Sequence, residues 1–261
     1  MYSLYIWRKM TLSLQKFKVF SCEAMARPVY YYSAISPHQI DVELIRIGLH
    51  DHPLQLNNQL QQYIDHTQPE TYDAIILVYG LCGRAIDGLK STHTPIVVPK
   101  AHDCITMLLG SGEAYNQQQN EHPGTYWYSQ DYLERSDRYG ESMALGSNIP
   151  ADPHAVYQEY IIKYGQENAD YLMQTLTSWQ THYTRAVLVQ NELGVQKQIA
   201  DKAEQEAIKH GWKLEVLNGN LSIIKRLLFG EWDKDFLVVS KGSKIQMTTD
   251  ENIITAIKFI N

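Results

Sequence analysis

The chain has 261 residues, of which 44% are hydrophobic and 20% are charged, values typical of a globular protein with a full core. Its formal net charge of -6 provides no basic surface for nucleic acid, so a small-molecule substrate or a protein partner is expected. No run reaches the roughly 18 to 20 apolar residues that a membrane-spanning helix requires. Three cysteines without a secretory pattern predict reduced thiols and a cytoplasmic location.

Three segments are predicted along the chain. Residues 1–14 lack the apolar core and cleavage site of a signal peptide and are predicted to be an N-terminal extension. Residues 15–150 are predicted to form an α/β half that carries the cysteine site, and residues 151–261 a second α/β half. This division assigns every cysteine to the first half.

The first half begins with a β-prone run over 17–20 that ends at Cys22. A loop that includes three consecutive tyrosines separates it from the next strand. The continuous apolar run over 72–79 is typical of a parallel strand covered on both faces. Further predicted elements are a strand over 42–48, a helix over 54–66, a strand over 95–99, a helical start over 105–120 and an aromatic loop or short strand over 123–128.

The second half begins with a helix predicted over 152–182 and continues with alternating strands and helices. The strands are predicted over 186–189, 213–217 and 236–239, and the helices between them over 195–210 and 221–229. This βαβαβ order predicts an α/β fold of two Rossmann-like parallel-sheet units flanked by helices.

All three cysteines follow predicted strands. Cys22 ends the first strand, Cys82 comes after the strand over 72–79, and Cys104 follows the strand over 95–99 together with His102. Ligands of parallel sheets bind at the carboxyl ends of the strands, where residues distant in sequence can meet. We therefore expect these side chains to lie close together.

Thiolate and imidazole are ligands that suit zinc or an iron–sulfur cluster. Cys22, Cys82, His102 and Cys104 are the predicted metal ligands, and a position left open on the metal would activate a thiol or water. The spacing lacks the paired CxxC units of a zinc finger, so the prediction depends on the topology. Burial of the cysteines in the core is the alternative.

A second interpretation needs no metal. Cys82 or Cys104 would act as a nucleophile, with its thiolate stabilised by His102 or by a helix N-terminus. Glu192 follows a predicted strand as Cys22 does, and it is a candidate acid, base or ligand partner. Its alternative role is a carboxylate favoured at a helix N-terminus. The predicted catalytic residues are therefore Cys82, His102, Cys104 and Glu192.

Five further residues are candidates for substrate binding. Gly83 and Arg84 lie in a glycine-rich turn whose backbone could approach an anion, and Asp103 lies between two of the candidate ligands. Tyr126 and Trp127 could line an apolar pocket, although aromatic residues after a Pro-Gly turn also fit a packing role.

Several blocks of the sequence together resemble one family. They are Ser21-Cys22-Glu23, YGLCG at 79–83, VPKAHDCITMLLGS at 98–111, PGTYW at 123–127 and the weaker GNLSIIKRLLFGEWDKDFLVV at 219–239. With them the chain resembles the bacterial and archaeal domain-of-unknown-function family 1638. Arg84 and the Ser-Gln-Asp after PGTYWY depart from the family pattern. The resemblance implies one-carbon or thiol chemistry and a corrinoid or methyltransferase partner protein.

These observations lead to three hypotheses. The first is a metal-dependent enzyme, with zinc held by the cysteines, that transfers a methyl or other group to sulfur. The second is an iron–sulfur protein that acts as a lyase, a dehydratase or an electron carrier. The third is a non-catalytic accessory module of a corrinoid methyltransferase system.

Overall fold

The computed structural model describes residues 14–136, 183–250 and 252–259, and the pairs 157–158, 161–162, 165–166 and 168–169. Residues 1–13 of the predicted extension and most of the helix predicted over 152–182 lie outside the described residues. Residue 150, where the two halves were predicted to meet, also lies outside them. The extension and the division of the chain into halves therefore stay predictions.

The described strands have the following bounds. They are β1 Lys16–Cys22, β2 Gln39–Ile45, β3 Ala74–Val78, β4 Lys90–Ser91, β5 Ile96–Pro99, β6 Thr125–Ser129, β7 Arg185–Gln190, β8 Lys213–Asn218, β9 Phe236–Val239, β10 Ser243–Met247 and β11 Ile254–Lys258.

The described helices lie between these strands. They are α1 Ala26–Ile35, α2 Pro53–His66, α3 Cys104–Leu109, α4 Gly112–Glu121, α5 Gln130–Ser136, α6 Lys197–His210 and α7 Ser222–Leu228, with short 3-10 segments at Glu23–Met25 and Ile47–Asp51. None of the helices described is both long enough and apolar enough to cross a membrane.

The first sheet has the strand order β2-β1-β3-β5-β9. Its first four strands are parallel, and the central strand β3 is buried at all five positions, as its continuous apolar sequence predicts. Strand β9 pairs antiparallel with β5, and Ile96 lies opposite Val239. The βαβαβ order predicted for the second half is therefore present along the chain, but its last strand joins the first sheet.

The second sheet has the order β6-β7-β8, and all of its strands are parallel. The aromatic segment predicted as a loop or short strand forms β6, with Trp127 opposite Val187. Together, the two parallel sheets and their helices confirm the predicted α/β fold class. Because β6 comes from the first predicted half and β7 from the second, this sheet joins the two.

The third sheet is antiparallel, with the order β11-β10-β4. Sequence reasoning predicted none of its strands, because β4 is two residues long and the other two follow the last predicted strand. Ile245 of β10 and Ile254 of β11 belong to a buried hydrophobic cluster with residues of the first sheet. The third sheet therefore helps to cover one face of the first.

Side chains alternate between the two faces of the first sheet, as the strand geometry requires. Val19, Ile76 and Val97 belong to the cluster that includes α1, α7 and residues of the second sheet. Phe20 and Ile75 belong to the opposite cluster, which contains α2 and the third sheet. The first sheet is thus covered on both faces.

Two further differences from the predicted elements concern helices. The three-tyrosine segment forms helix α1, because Val29 and Tyr32 share a buried face three residues apart. The helix predicted over 105–120 is two helices, because Gly110 ends α3 with a left-handed φ of 85°. A side chain at Gly110 would also lie 2.6 Å from the carbonyl oxygen of Asn220.

Candidate functional site

The three cysteines lie at carboxyl ends of neighbouring parallel strands. Cys22 is the last residue of β1, Cys82 lies in the loop after β3, and Cys104 begins α3 after β5. All three are free thiols and are partly buried. The charge of Cys22 acts on the pKa of Cys82, and the charges of both act on the pKa of Cys104, so the three lie within electrostatic range of one another. We call this group, together with Tyr79 and Glu23, the thiol site.

Burial controls the protonation of these thiols. It raises the pKa of Cys22 to about 12, and it raises the pKa of Cys82 and of Cys104 well above the usual range of a thiol. The carboxylate of Asp103 raises the latter two further, and Asp131 acts on Cys22 in the same direction. Each sulfur is therefore a neutral S–H group at neutral pH.

The backbone beside Cys82 has an uncommon conformation. Cys82, Gly83 and Arg84 have φ angles of 45°, 64° and 75°, all in the left-handed region. A non-glycine residue in this region costs about 1 to 2 kcal/mol. A backbone hydrogen bond of 2.9 Å from the N–H of Cys82 to the carbonyl of His102 fixes the loop to the chain after β5. Such strain is concentrated at functional sites in proteins.

Close packing also joins these two loops. A Cβ atom on Gly80 would lie 2.6 Å from the Cα of Asp103. The Oδ1 atom of Asp103 accepts hydrogen bonds from the backbone N–H groups of Ile105 and Thr106, and its Oδ2 atom accepts one from the Tyr115 hydroxyl. Asp103, predicted to bind substrate, therefore caps helix α3 and positions the residue next to it, Cys104.

His102 is exposed, and its ring stacks on Tyr115 with 5.5 Å between the centroids. Within the part of the chain that the structure describes, no three His, Cys, Asp or Glu side chains form a group that could hold a metal ion. The thiols have the right chemistry for zinc, but they and His102 are not arranged as a ligand set. The predicted zinc or iron–sulfur site therefore stays a prediction.

Helix α5 brings further charged residues to Cys22. Its Arg135 donates a hydrogen bond of 3.4 Å from a terminal nitrogen to Glu23, and its Asp131 accepts one of 3.1 Å from the backbone N–H of Arg27. Burial raises the pKa of Asp131 to about 7, against the lowering effect of the two arginines. Both Asp131 and Arg135 act electrostatically on Cys22.

Sequence reasoning missed Glu23, Asp131 and Arg135 as site residues. The sequence contained a signal for Asp131 and Arg135, because helix α5, which carries both, follows strand β6 directly, just as the cysteines follow their strands. An acidic and a basic residue four positions apart face the same side of a helix. The segment was instead treated only as the end of an aromatic block.

Several buried polar atoms near these elements have no hydrogen-bond partner among the described residues. They are the Tyr79 hydroxyl, the Thr106 hydroxyl, Trp127 Nε1 and Arg135 Nε. Burial raises the pKa of Tyr79, and the charges of Cys22, Cys82 and Glu23 act on it. The Ser33 hydroxyl and His93 Nε2 are also without a partner among the described residues, so such atoms are not confined to the thiol site.

The two adjacent aromatic candidates lie on opposite faces of β6. Trp127 belongs to the cluster between the sheets, whereas Tyr126 packs on Trp212 with 4.6 Å between the ring centroids. We call Tyr126, Tyr128, Tyr183 and Trp212 the aromatic cluster. Because neighbouring strand residues point in opposite directions, Tyr126 and Trp127 do not line one pocket.

The other predicted residues lie nearer the surface. Gly83 is exposed, and exposed Arg84 forms a salt bridge of 2.7 Å with Asp87. Glu192 follows β7 and accepts a hydrogen bond from the Tyr32 hydroxyl. Neither arrangement connects these side chains with the three thiols.

A surface cavity of about 290 Å³ lies elsewhere on the first sheet. It is lined by Lys18, Phe20, Glu43, Tyr63 and other residues, and Lys18 forms a salt bridge of 2.8 Å with Glu43. The cavity does not include the thiols. Its charged groups pair with each other, so the thiol site is the stronger candidate.

The fold and site define an α/β protein with reduced thiols at the carboxyl ends of a parallel sheet. The chain belongs to the family described as a protein of unknown function (DUF1638), whose model matches residues 44–228, more than half of the chain. The matched segment contains Cys82, His102, Cys104 and Glu192, whereas Cys22 precedes it. No curated protein and no solved structure matches the chain.

Proposed function

We propose that this protein is an enzyme that transfers a one-carbon or sulfur-linked group to or from a small molecule at the thiol site. The observation that carries the proposal is the position of three partly buried thiols at the ends of three neighbouring strands of one parallel sheet. The left-handed backbone at Cys82 and the unpartnered Tyr79 hydroxyl support it. A corrinoid or methyltransferase partner protein and a cytoplasmic location belong to the same proposal.

The raised pKa values of the thiols set a requirement on the chemistry. During transfer, a sulfur forms a bond to the transferred group, the bond to the leaving atom breaks, and the thiol proton passes to a base. Asp131, whose pKa burial raises to about 7, acts electrostatically on Cys22 and is the base that the proposal assigns to this proton. Because the thiol pKa is about 12, this proton transfer is uphill unless the substrate or a cation stabilises the thiolate.

Zinc, or alternatively an iron–sulfur cluster, is the cation that the sequence predicts for this role. Either would stabilise thiolates by its positive charge. The described residues do not form a ligand group, so no step of the proposal depends on the metal. Metal analysis of anaerobically purified protein, with an ultraviolet–visible spectrum, tests this prediction separately: about one zinc, or iron with sulfide, should be lost in Cys104→Ser.

Titration with phenylarsine oxide tests the site itself, because trivalent arsenic binds two neighbouring thiols together. We expect the wild-type protein to bind one equivalent, and Cys22→Ser, Cys82→Ser and Cys104→Ser to bind it more weakly. Met107→Leu, a conservative change in the same buried cluster, is the matched control. Three thiols that react independently, without arsenical binding, would contradict the proposal.

Group transfer is measured with methylcobalamin as donor and a small thiol as acceptor. We expect transfer faster than in the absence of protein, and its loss in Cys82→Ser and Cys104→Ser with folding retained. If the arsenical binds but no transfer is found with this or other methyl donors, the proposed reaction is wrong and the thiols serve another role.

A further inference from the structure

The surface cavity of the first sheet combines an ion pair with aromatic rings. Lys18 on β1 and Glu43 on β2 form a salt bridge of 2.8 Å, and both side chains line the cavity. The rings of Phe20 and Tyr63 also line it and lie nearly parallel, with 13° between their planes and 5.4 Å between their centroids. Tyr72 contributes a third ring. We call this space the Lys18 cavity.

Contacts outside the lining hold these rings in place. The Tyr72 hydroxyl donates a hydrogen bond of 2.8 Å to Asp41, and the Tyr63 hydroxyl accepts one of 2.8 Å from the side-chain amide of Gln59. Phe20 is 1% exposed, so the core around it fixes its ring. Side chains that are already fixed lose little conformational freedom when a ligand binds, and this favours binding.

The ion pair keeps polar atoms available for a ligand. An ammonium group has three N–H donors, and a carboxylate has two acceptor oxygens. The contact from Lys18 Nζ to Glu43 Oε2 uses one donor and one of these oxygens. The Lys18 ammonium also lies 5.2 Å from the centre of the Phe20 ring. The side chains of Lys18 and Glu43 are 19% and 37% exposed, so a ligand can reach both from solvent.

These charges select the kind of ligand. Lys18 and Glu43 carry opposite charges, so a ligand with a single charge is attracted by one of them and repelled by the other. A zwitterion that places its carboxylate at the ammonium and its own ammonium at the carboxylate is attracted by both. The lining is completed, without a further carboxylate or ammonium group, by His66, Thr67, Gln68 and Thr71.

The volume of the Lys18 cavity limits the size of the ligand. About 290 Å³ lies at the lower end of the range for ligand pockets, which suits a molecule with one ring system rather than a dinucleotide. Aromatic rings pack well against one another in offset and edge-to-face arrangements, so the walls favour a ligand with a ring. An aromatic amino acid has this size, the ring and both charges.

We propose that the Lys18 cavity binds a free aromatic α-amino acid, with its carboxylate at Lys18, its ammonium group at Glu43 and its ring against the aromatic walls. The inference goes beyond the proposed function and does not rest on it. Phe20 lies two residues before Cys22, so the cavity and the thiol site share strand β1. Sequence reasoning did not predict the ion pair, because it forms only when β1 and β2 lie side by side.

Isothermal titration calorimetry on the full chain tests the cavity, with L-phenylalanine as the probe. Two analogues each lack one charge: 3-phenylpropanoate has no ammonium group, and 2-phenylethylamine has no carboxylate. We expect L-phenylalanine to bind roughly tenfold more tightly than either analogue, the effect of one charge-assisted contact. Equal affinities for all three would overturn the inference. Absence of binding by L-phenylalanine, L-tyrosine and L-tryptophan alike would also overturn it.

Two substitutions should change the preference in opposite directions. Lys18→Met should weaken the binding of L-phenylalanine roughly tenfold but strengthen that of 2-phenylethylamine, whose ammonium then meets an unpaired Glu43. Glu43→Gln should weaken L-phenylalanine and strengthen 3-phenylpropanoate for the corresponding reason. Lys213→Met, which removes a lysine paired with Glu215 at 2.9 Å on the second sheet, is the matched control. If each substitution weakens all three ligands alike, the ion pair has a structural role and the inference is overturned.

The comparison of analogues on the wild-type protein decides the question if a variant does not fold, because it needs no substitution. Cys104→Ser, which removes a thiol, should bind L-phenylalanine as the wild-type protein does, whatever the outcome of the arsenical titration. Loss of L-phenylalanine binding in folded Cys104→Ser protein would place the ligand at the thiol site and overturn its assignment to the Lys18 cavity.

Discussion

The thiol site at the strand ends of the first sheet and the aromatic cluster on the second sheet differ in how completely their groups are satisfied. In the aromatic cluster, Tyr126 packs against both Tyr183 and Trp212, with ring centroids 4.6 to 5.7 Å apart. Near the thiol site, buried donors have no partner among the residues that the structure describes, and the backbone is strained. Proteins accept lower stability at functional sites, which supports the proposal that the thiol site performs the chemistry while the aromatic cluster has a packing role.

The largest expected effect concerns the aromatic cluster. Trp212→Ala removes a side chain that is 6% exposed, and we expect the free energy of unfolding to fall by about 4 kcal/mol. Urea denaturation measures this change. Val216→Ala on the same sheet, at an exposed position, should have little effect. A large change in arsenical binding by folded Trp212→Ala protein would break the division between the two regions.

The pH dependence of stability should reveal Asp131. Its pKa is about 7 in the folded protein against 3.8 for the ordinary group, so the folded state binds the extra proton between these values. Stability should therefore fall as pH rises from about 4 to 7, by on the order of 4 kcal/mol, and Asp131→Asn should lack this slope.

Glu215 provides a control for this experiment, because its titration should change stability with pH in the opposite direction. Hydrogen bonds from Lys213 and Arg185 lower its pKa to about 2. Its contribution is lost as pH falls from about 4.5 toward 2, and Glu215→Gln should remove that loss. An Asp131→Asn protein with the same pH profile as wild type would show that this carboxyl group titrates normally.

A smaller effect is expected where the two thiol loops touch. Gly80→Ala places a Cβ atom against the backbone of Asp103, and we expect a destabilisation of about 2 kcal/mol with weaker arsenical binding. Gly112→Ala, where an added Cβ meets nothing within 4 Å, should stabilise by about 0.5 kcal/mol. If Gly80→Ala leaves both stability and arsenical binding unchanged, the loops are not in the contact described.

The smallest effect has the opposite sign. Tyr79→Phe removes a buried hydroxyl that has no partner among the described residues, and we expect the free energy of unfolding to rise by about 1 kcal/mol. Tyr72→Phe, which removes a hydrogen bond of 2.8 Å to Asp41, should lower it slightly. Destabilisation by Tyr79→Phe would indicate that its hydroxyl is satisfied in solution, and the contrast between the two regions would weaken.

The sequence predicted the parallel strands better than their partners. Strand β1 was found from a short β-prone run, and β3 and β5 were found from continuous apolar runs. The ends of these strands located all three thiols. Strand β9 lies beside β5 because of contacts between residues far apart along the chain. The periodicity of hydrophobic residues carries no information about such contacts. Helix α1 was missed because three tyrosines and nearby prolines suggested a loop, although Tyr32 and Val29 bury one face.

For the site, sequence reasoning identified the residue types with distinctive chemistry and missed those whose role depends on surroundings. Cys82 and Cys104 were identified as candidates only because they are cysteines and because each follows a predicted strand. Asp131 and Tyr79 become notable only through burial and missing partners, which no local pattern reveals. Trp127 and Tyr126 were treated as a pair because they are adjacent, whereas strand geometry separates them.

The antiparallel strand β9 also constrains how the protein is made. Ile96 of β5 pairs with Val239, so the open edge of the first sheet is completed only after the ribosome has synthesised most of the chain. Until then the nascent chain exposes the unpaired edge of a buried, apolar strand, which favours association with other chains. Production of this protein should therefore depend on chaperones that shield the emerging β5 edge, and truncation before β9 should lead to aggregation.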